Sequence, residues 1–118
     1  MTREFIITKE FDHTWKELGL TDDDLSELEI YLCKNPGCGD TLEETGGVKK
    51  FRWALESRGK SGGARIVYLD IVFAEHIYLL TAFPKNEKAN LTKAERNQMK
   101  NIVTAIKNAE KEAQDGRK

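Results

Sequence analysis

The sequence predicts an α+β fold: a small, mostly antiparallel sheet with helices packed on one face, in the order β-α-α-β-β-β-α. Three features of the 118 residues carry this reading. Helix-period apolar stripes occupy both ends of the chain, and from Val48 the period drops to two. Two long apolar segments, 64–73 and 76–83, are separated only by a tight turn near Ala74 and Glu75, which suits central strands. At this length one domain, residues 1–118, can bury a single core without staples.

Taken in order, Arg3–Thr8 (REFIIT) is β-rich and predicts the first strand. Phe11, Trp15 and Leu18 fall at helical spacing and predict a short amphipathic helix. Thr21 followed by Asp22, Asp23 and Asp24 reads as an N-cap with acids in the first turn, where the helix dipole favours them. Leu25, Leu28 and Leu32 form the stripe of this second helix, and Asn35-Pro36-Gly37 ends it. Beyond Val48, Phe51, Trp53 and Leu55 alternate with Lys50, Arg52 and Ala54, giving one apolar and one largely cationic face. The loop Glu56–Gly63 contains three glycines and leads into the two apolar strands. Thr92-Lys93-Ala94-Glu95 has capping-box spacing and opens the last helix, with Met99, Ile102, Val103 and Ile106 as its expected buried stripe.

Composition narrows the function classes. Hydrophobic residues make up 39% and charged residues 33%, an ordinary globular balance. No apolar run approaches the roughly 18–20 residues of a membrane span, and the N-terminus lacks a signal-peptide core, so the expectation is a cytoplasmic protein without a membrane partner. The net charge of −1 conceals a division. Residues 1–46 carry 4 basic and 12 acidic side chains, whereas residues 47–118 carry 15 basic and 8 acidic. A basic region on a near-neutral chain points to a polyanionic ligand.

Several motifs point nowhere further. Cys33 and Cys38 lack a second Cys or His pair to complete a metal site, and the expected compartment keeps them reduced. His13 and His76 have no sequence neighbours that would build a triad or a metal site. Ala54-x4-Gly59-Lys60-Ser61 matches a relaxed phosphate-loop pattern, but such a loop needs a helix after it, and here a β-rich segment follows. No metal or cofactor is implied.

The cations are the informative set. Lys49, Lys50, Arg52, Arg58, Lys60, Arg65, Lys85 and Lys88 surround the strand segments, and they converge if those strands are neighbours. Grouped cations position a phosphodiester and stabilise the charge that develops on it.

GGVKKFRW (46–53), RGKSGGARIVYL (58–69) and IYLLTAFPKNEKANLT (77–92) resemble, in this order and spacing, motifs of the RelE/ParE toxin superfamily, most closely its HigB-type members. The resemblance covers roughly residues 20–107 and implies the toxin of a bacterial toxin–antitoxin pair. RelE-like members cut messenger RNA in the ribosomal A site, so it also implies a metal-independent endoribonuclease whose partners are the ribosome, mRNA and a cognate antitoxin with a helix-turn-helix domain. On this resemblance Arg65, Lys85 and Arg52 are the catalytic candidates, and Lys49, Lys50, Arg58, Lys60 and Lys88 the RNA-binding ones. Some relatives place a catalytic tyrosine near the last basic turn, where this chain has Leu91 and Thr92. That leaves Glu87, or a lysine with its pKa depressed by crowded cations, as the candidate general base. Two other readings stand beside this one: a ParE-like gyrase inhibitor without nuclease chemistry, and a non-enzymatic RNA-binding module.

Overall fold

The computed structural model describes residues 3–54, 63–84 and 91–115. Strand β1 (Glu4–Ile7) leads into helices α1 (Lys9–Glu17) and α2 (Asp22–Lys34). A two-residue strand β2 (Asp40–Thr41), then β3 (Lys49–Trp53), β4 (Ala64–Ile71) and β5 (His76–Pro84), precede the long helix α3 (Lys93–Asp115). The five strands form one sheet in the order β1-β5-β4-β3-β2. Every neighbouring pair is antiparallel except β1 with β5. This is the predicted α+β class and element order, with β2 as a small addition.

Both capping predictions are met. The Thr21 hydroxyl accepts from the Asp24 N–H at 3.2 Å and the Asp24 carboxylate accepts from the Thr21 N–H at 2.9 Å. At α3, Thr92 and Glu95 make the same reciprocal pair at 3.1 and 3.0 Å. The predicted turn after β4 is a single 3₁₀ turn, Val72–Ala74, followed by Glu75 in the left-handed region. The strand therefore ends at Ile71, two residues earlier than its apolar run, and leaves Val72 and Phe73 exposed.

Alternation along β4 divides the core. Ile66 and Tyr68 face one way, packing with Phe11 and Trp15 of α1 and Leu28 and Leu32 of α2. Val67, Leu69 and Ile71 face the other way, packing with Val103, Met99 and Ile106 of α3. On the first face Phe11 stacks on Trp15 and Trp15 on Trp53, with centroids 5.3 and 5.9 Å apart. Tyr68 is fully buried there, and its hydroxyl donates to the Pro36 carbonyl at 2.8 Å and accepts from the Gly39 N–H at 3.1 Å. Burial pushes its pKa up, so the hydroxyl stays a donor. Gly39 is required at this contact, because a Cβ would sit 2.8 Å from the Lys50 carbonyl oxygen.

Polar contacts fasten the C-terminal half of α3. Glu110, itself buried, hydrogen-bonds His76 Nδ1 and accepts from the Tyr78 hydroxyl at 2.9 Å. His76 Nε2 lies 3.1 Å from Glu4, so one imidazole joins β1, β5 and α3. Lys107 donates to the Gly46 carbonyl and Gln114 to the Phe73 carbonyl. The N-terminal half is attached less closely. Ile102, expected in the buried stripe, is 52% exposed, because the helix there borders an open cavity instead of touching the sheet.

The hydrogen bond to Glu110, assisted by Glu4, raises the pKa of His76 against the opposing effect of burial. A histidine pKa raised by folding adds stability that is complete below its unfolded value, about 6.5, and lost as the pH climbs through the folded value. Thermal unfolding followed across that range should show a midpoint that falls with rising pH. His76→Gln should flatten the fall; an unchanged slope would remove His76 as its source.

Candidate functional site

The register of three strands sets two rows of side chains on the face toward α3. In the first, Lys50 pairs with Val67 and Val67 with Thr81. In the second, Arg52 pairs with Arg65 and Arg65 with Phe83. Directly paired residues share a face, so Lys50, Arg52 and Arg65 project together, opposite Phe51 and Trp53 in the aromatic core. Two arginines directly opposite one another repel and cost stability, and an anion lying over them offsets that cost.

Beside these cations, between the sheet and the start of α3, lies a cavity of about 890 Å³. Val67, Leu80 and Phe83 line it from the sheet, Leu42 from the segment after β2, and Leu91, Met99 and Ile102 from α3 and its approach. Among the described residues its polar lining is Thr8, Glu10, Lys50, Thr81, Glu95 and Gln98. The volume is within the range of small-ligand sites, about 300–1,000 Å³.

A bulge shapes the floor. The β4–β5 register shifts between Val67 and Tyr68, which pair with Thr81 and Leu79, so Leu80 is the extra residue. Leu80 and Thr81 consequently both line the cavity, where regular alternation would send one of them to the other face. Strand β1 ends at Ile7, paired with Leu79, and beyond it the first turn of α1 borders β5. The Thr8 hydroxyl caps α1 at the Phe11 N–H and donates to the Leu79 and Leu80 carbonyls at 2.9 and 3.1 Å. The Thr14 hydroxyl accepts from the Ala82 N–H at 3.2 Å. Between these ties, the Glu10 carboxylate accepts from the Thr81 hydroxyl at 3.2 Å.

A family model described as the RelE toxin of the RelE / RelB toxin-antitoxin system matches residues 4–115. The chain belongs to the RelE toxin family. A solved structure of an arginine-to-alanine double mutant of the E. coli toxin RelE, in its free state, shares the fold with a TM-score of 0.50. Sequence identity is 15%, over 73% of this chain and 86% of that one.

Of the site residues suggested by the RelE-family resemblance, Lys50, Arg52 and Arg65 come together on one face. Lys49 does not join them. Its side chain follows the other parity of β3, and its Nζ donates to the Thr41 hydroxyl at the sheet edge. Arg58, Lys60, Lys85, Lys88 and Glu87 lie outside the described residues. The phosphate-loop pattern is followed by β4 and not by a helix, which removes that motif's anion-binding geometry. Cys33 and Cys38 are unbridged, and His13 pairs with Glu17 on the exposed side of α1. Among the described residues no group of three or more His, Cys, Asp or Glu side chains is placed to hold a metal ion, and no helix is long and apolar enough to cross a membrane. Glu10, Thr8 and Thr81 are the site residues that sequence reasoning missed. Glu10 reads in sequence as an ordinary first-turn acid, and nothing signals the bulge that turns Thr81 toward it.

Arg52→Gln removes one of two directly opposed cations. Stability should hold or rise by the roughly 0.2–1 kcal/mol typical of cross-strand pairs, seen as an equal or slightly higher thermal midpoint, and the difference should shrink as salt is added. A midpoint several degrees lower would make Arg52 a structural group.

Proposed function

We propose that this RelE-family chain is a ribosome-dependent mRNA endoribonuclease and the toxin of a toxin–antitoxin pair, with the HigB-type motifs as its nearest pattern. The observation that carries the reading is that Lys50, Arg52 and Arg65 share one sheet face, with Lys50 lining a cavity of nucleotide size. A phosphodiester laid along that row gains charge-assisted hydrogen bonds, and the arginines meet the additional charge of a phosphorane.

The chemistry is attack of a ribose 2′-hydroxyl on the adjacent phosphate. Arg65 and Arg52 stabilise the charge, Lys50 holds the backbone, and Lys85 and the remaining candidate cations, Arg58, Lys60 and Lys88, extend the contact to the message. Much of such a reaction is positioning, and the ribosome supplies an ordered, bent message at its decoding site. The partner is a cognate antitoxin, carrying a helix-turn-helix domain on the HigB-type pattern and covering the basic face.

Induction followed by mapping of transcript 5′ ends tests the reading, with new ends expected inside translated frames. Intact transcripts together with inhibited gyrase would favour the ParE-like alternative. Purified protein should cut message on ribosomes and leave naked RNA largely intact; equal cleavage of both would sink ribosome dependence. Arg65→Ala should abolish growth arrest and slow cleavage by about 100-fold or more, the scale of losing one transition-state donor, without loss of fold.

A further inference from the structure

We propose that Glu10 is the general base of the cleavage reaction, an inference that rests on the nuclease reading above. Among the described residues it is one of two carboxylates that line the cavity. The other, Glu95, is committed to the Thr92 cap, where hydrogen bonds from the Thr92 backbone and hydroxyl lower its pKa. Glu10 differs in being aimed. The Thr81 hydroxyl donates to its Oε2 at 3.2 Å, leaving Oε1 and the remaining lone pairs for a substrate proton.

The placement is rigid for a surface glutamate. Thr8 ties the N-terminus of α1 to the Leu79 and Leu80 carbonyls, and Thr14 ties the next turn to Ala82. The bulge at Leu80 turns Thr81 into the cavity, and bulges recur where a strand must re-aim a side chain beside an active site. Lys50 projects from the same cross-strand row as Thr81, two strands away, a separation of about 10 Å between backbones. A ribose and its phosphate bound in this cavity would have the phosphate toward Lys50 and the ribose toward Glu10.

The proton and electron movements balance. Glu10 takes the proton of the 2′-hydroxyl as the 2′-oxygen bonds to phosphorus. The bond from phosphorus to the 5′-oxygen breaks, its electron pair stays with that oxygen, and the oxygen takes a proton from solvent. The products are a 2′,3′-cyclic phosphate and a 5′-hydroxyl, and Glu10 returns its proton to water.

The sign of a single substitution separates this role from simple charge. A carboxylate beside RNA with no chemical part repels phosphate, so its neutralisation strengthens binding and leaves cleavage equal or faster. A general base does the opposite. With wild-type and Glu10→Gln proteins of equal thermal midpoint, single-turnover cleavage of message on programmed ribosomes should be slower in the variant by about 100-fold or more. Thr81→Val tests the same geometry without touching α1: a smaller loss of the single-turnover rate at saturating ribosomes, with ribosome affinity unchanged, because the base remains but is no longer aimed. Glu10→Gln protein that cuts at the wild-type rate or faster overturns the assignment alone. Wild-type protein that cuts nothing on ribosomes overturns the nuclease reading and this inference with it.

Discussion

The register between β3 and β4 is the constraint on which the site depends. It pairs Phe51 with Ile66 and Arg52 with Arg65, so the aromatic core and the cationic row are opposite faces of the same ten residues. A slip of β3 by one residue would turn Arg52 toward the aromatic core and Phe51 and Trp53 away from it, and burying an unpaired guanidinium costs several kcal/mol. Tyr68 helps to hold the register in place. Its ring packs edge-on against Phe51, and its hydroxyl ties the sheet to the segment after α2 through Pro36 and Gly39. The core and the phosphate-facing surface are thus set by one decision of strand pairing.

Helix α3 is bound unequally along its length. Its C-terminal half contributes Lys107, Glu110 and Gln114 to side-chain contacts with three separate segments of the chain. Its first half touches the sheet through Met99 and Val103, and the start of the helix borders the cavity. Because Glu110 is buried with both His76 and Tyr78 as partners, the polar end is also the specific one: removing either partner leaves a buried carboxylate underpaired.

Much of this arrangement was legible in the sequence. The period-two alternation of 48–55 separated Lys50 and Arg52 from Phe51 and Trp53, and the structure keeps that separation. The Thr21 N-cap and the Thr92–Glu95 capping box were readable because their hydrogen bonds are local, three residues apart. What escaped depends on distant pairing. Ile102 has the spacing of a core residue, yet it borders the cavity and is exposed while the adjacent Val103 is buried, and no local pattern encodes a cavity between elements. Lys49 and Lys50 look equivalent as neighbours, and only the strand parity sends one to the edge and the other to the cavity. Glu10 and Thr81, 71 residues apart, meet because β1 stops short and β5 bulges, two events invisible at either position alone.

The division of charge along the chain has become a division in space. The acids of α2 lie on one side of the sheet, while Lys50, Arg52 and Arg65 lie on the other. A molecule with a net charge of −1 therefore carries an electric dipole moment across the sheet. Near a polyanionic surface that moment exerts a torque before contact, turning the cationic face inward and the carboxylates away. Such alignment raises the fraction of collisions that arrive correctly oriented, so it acts on the association rate more than on the final affinity.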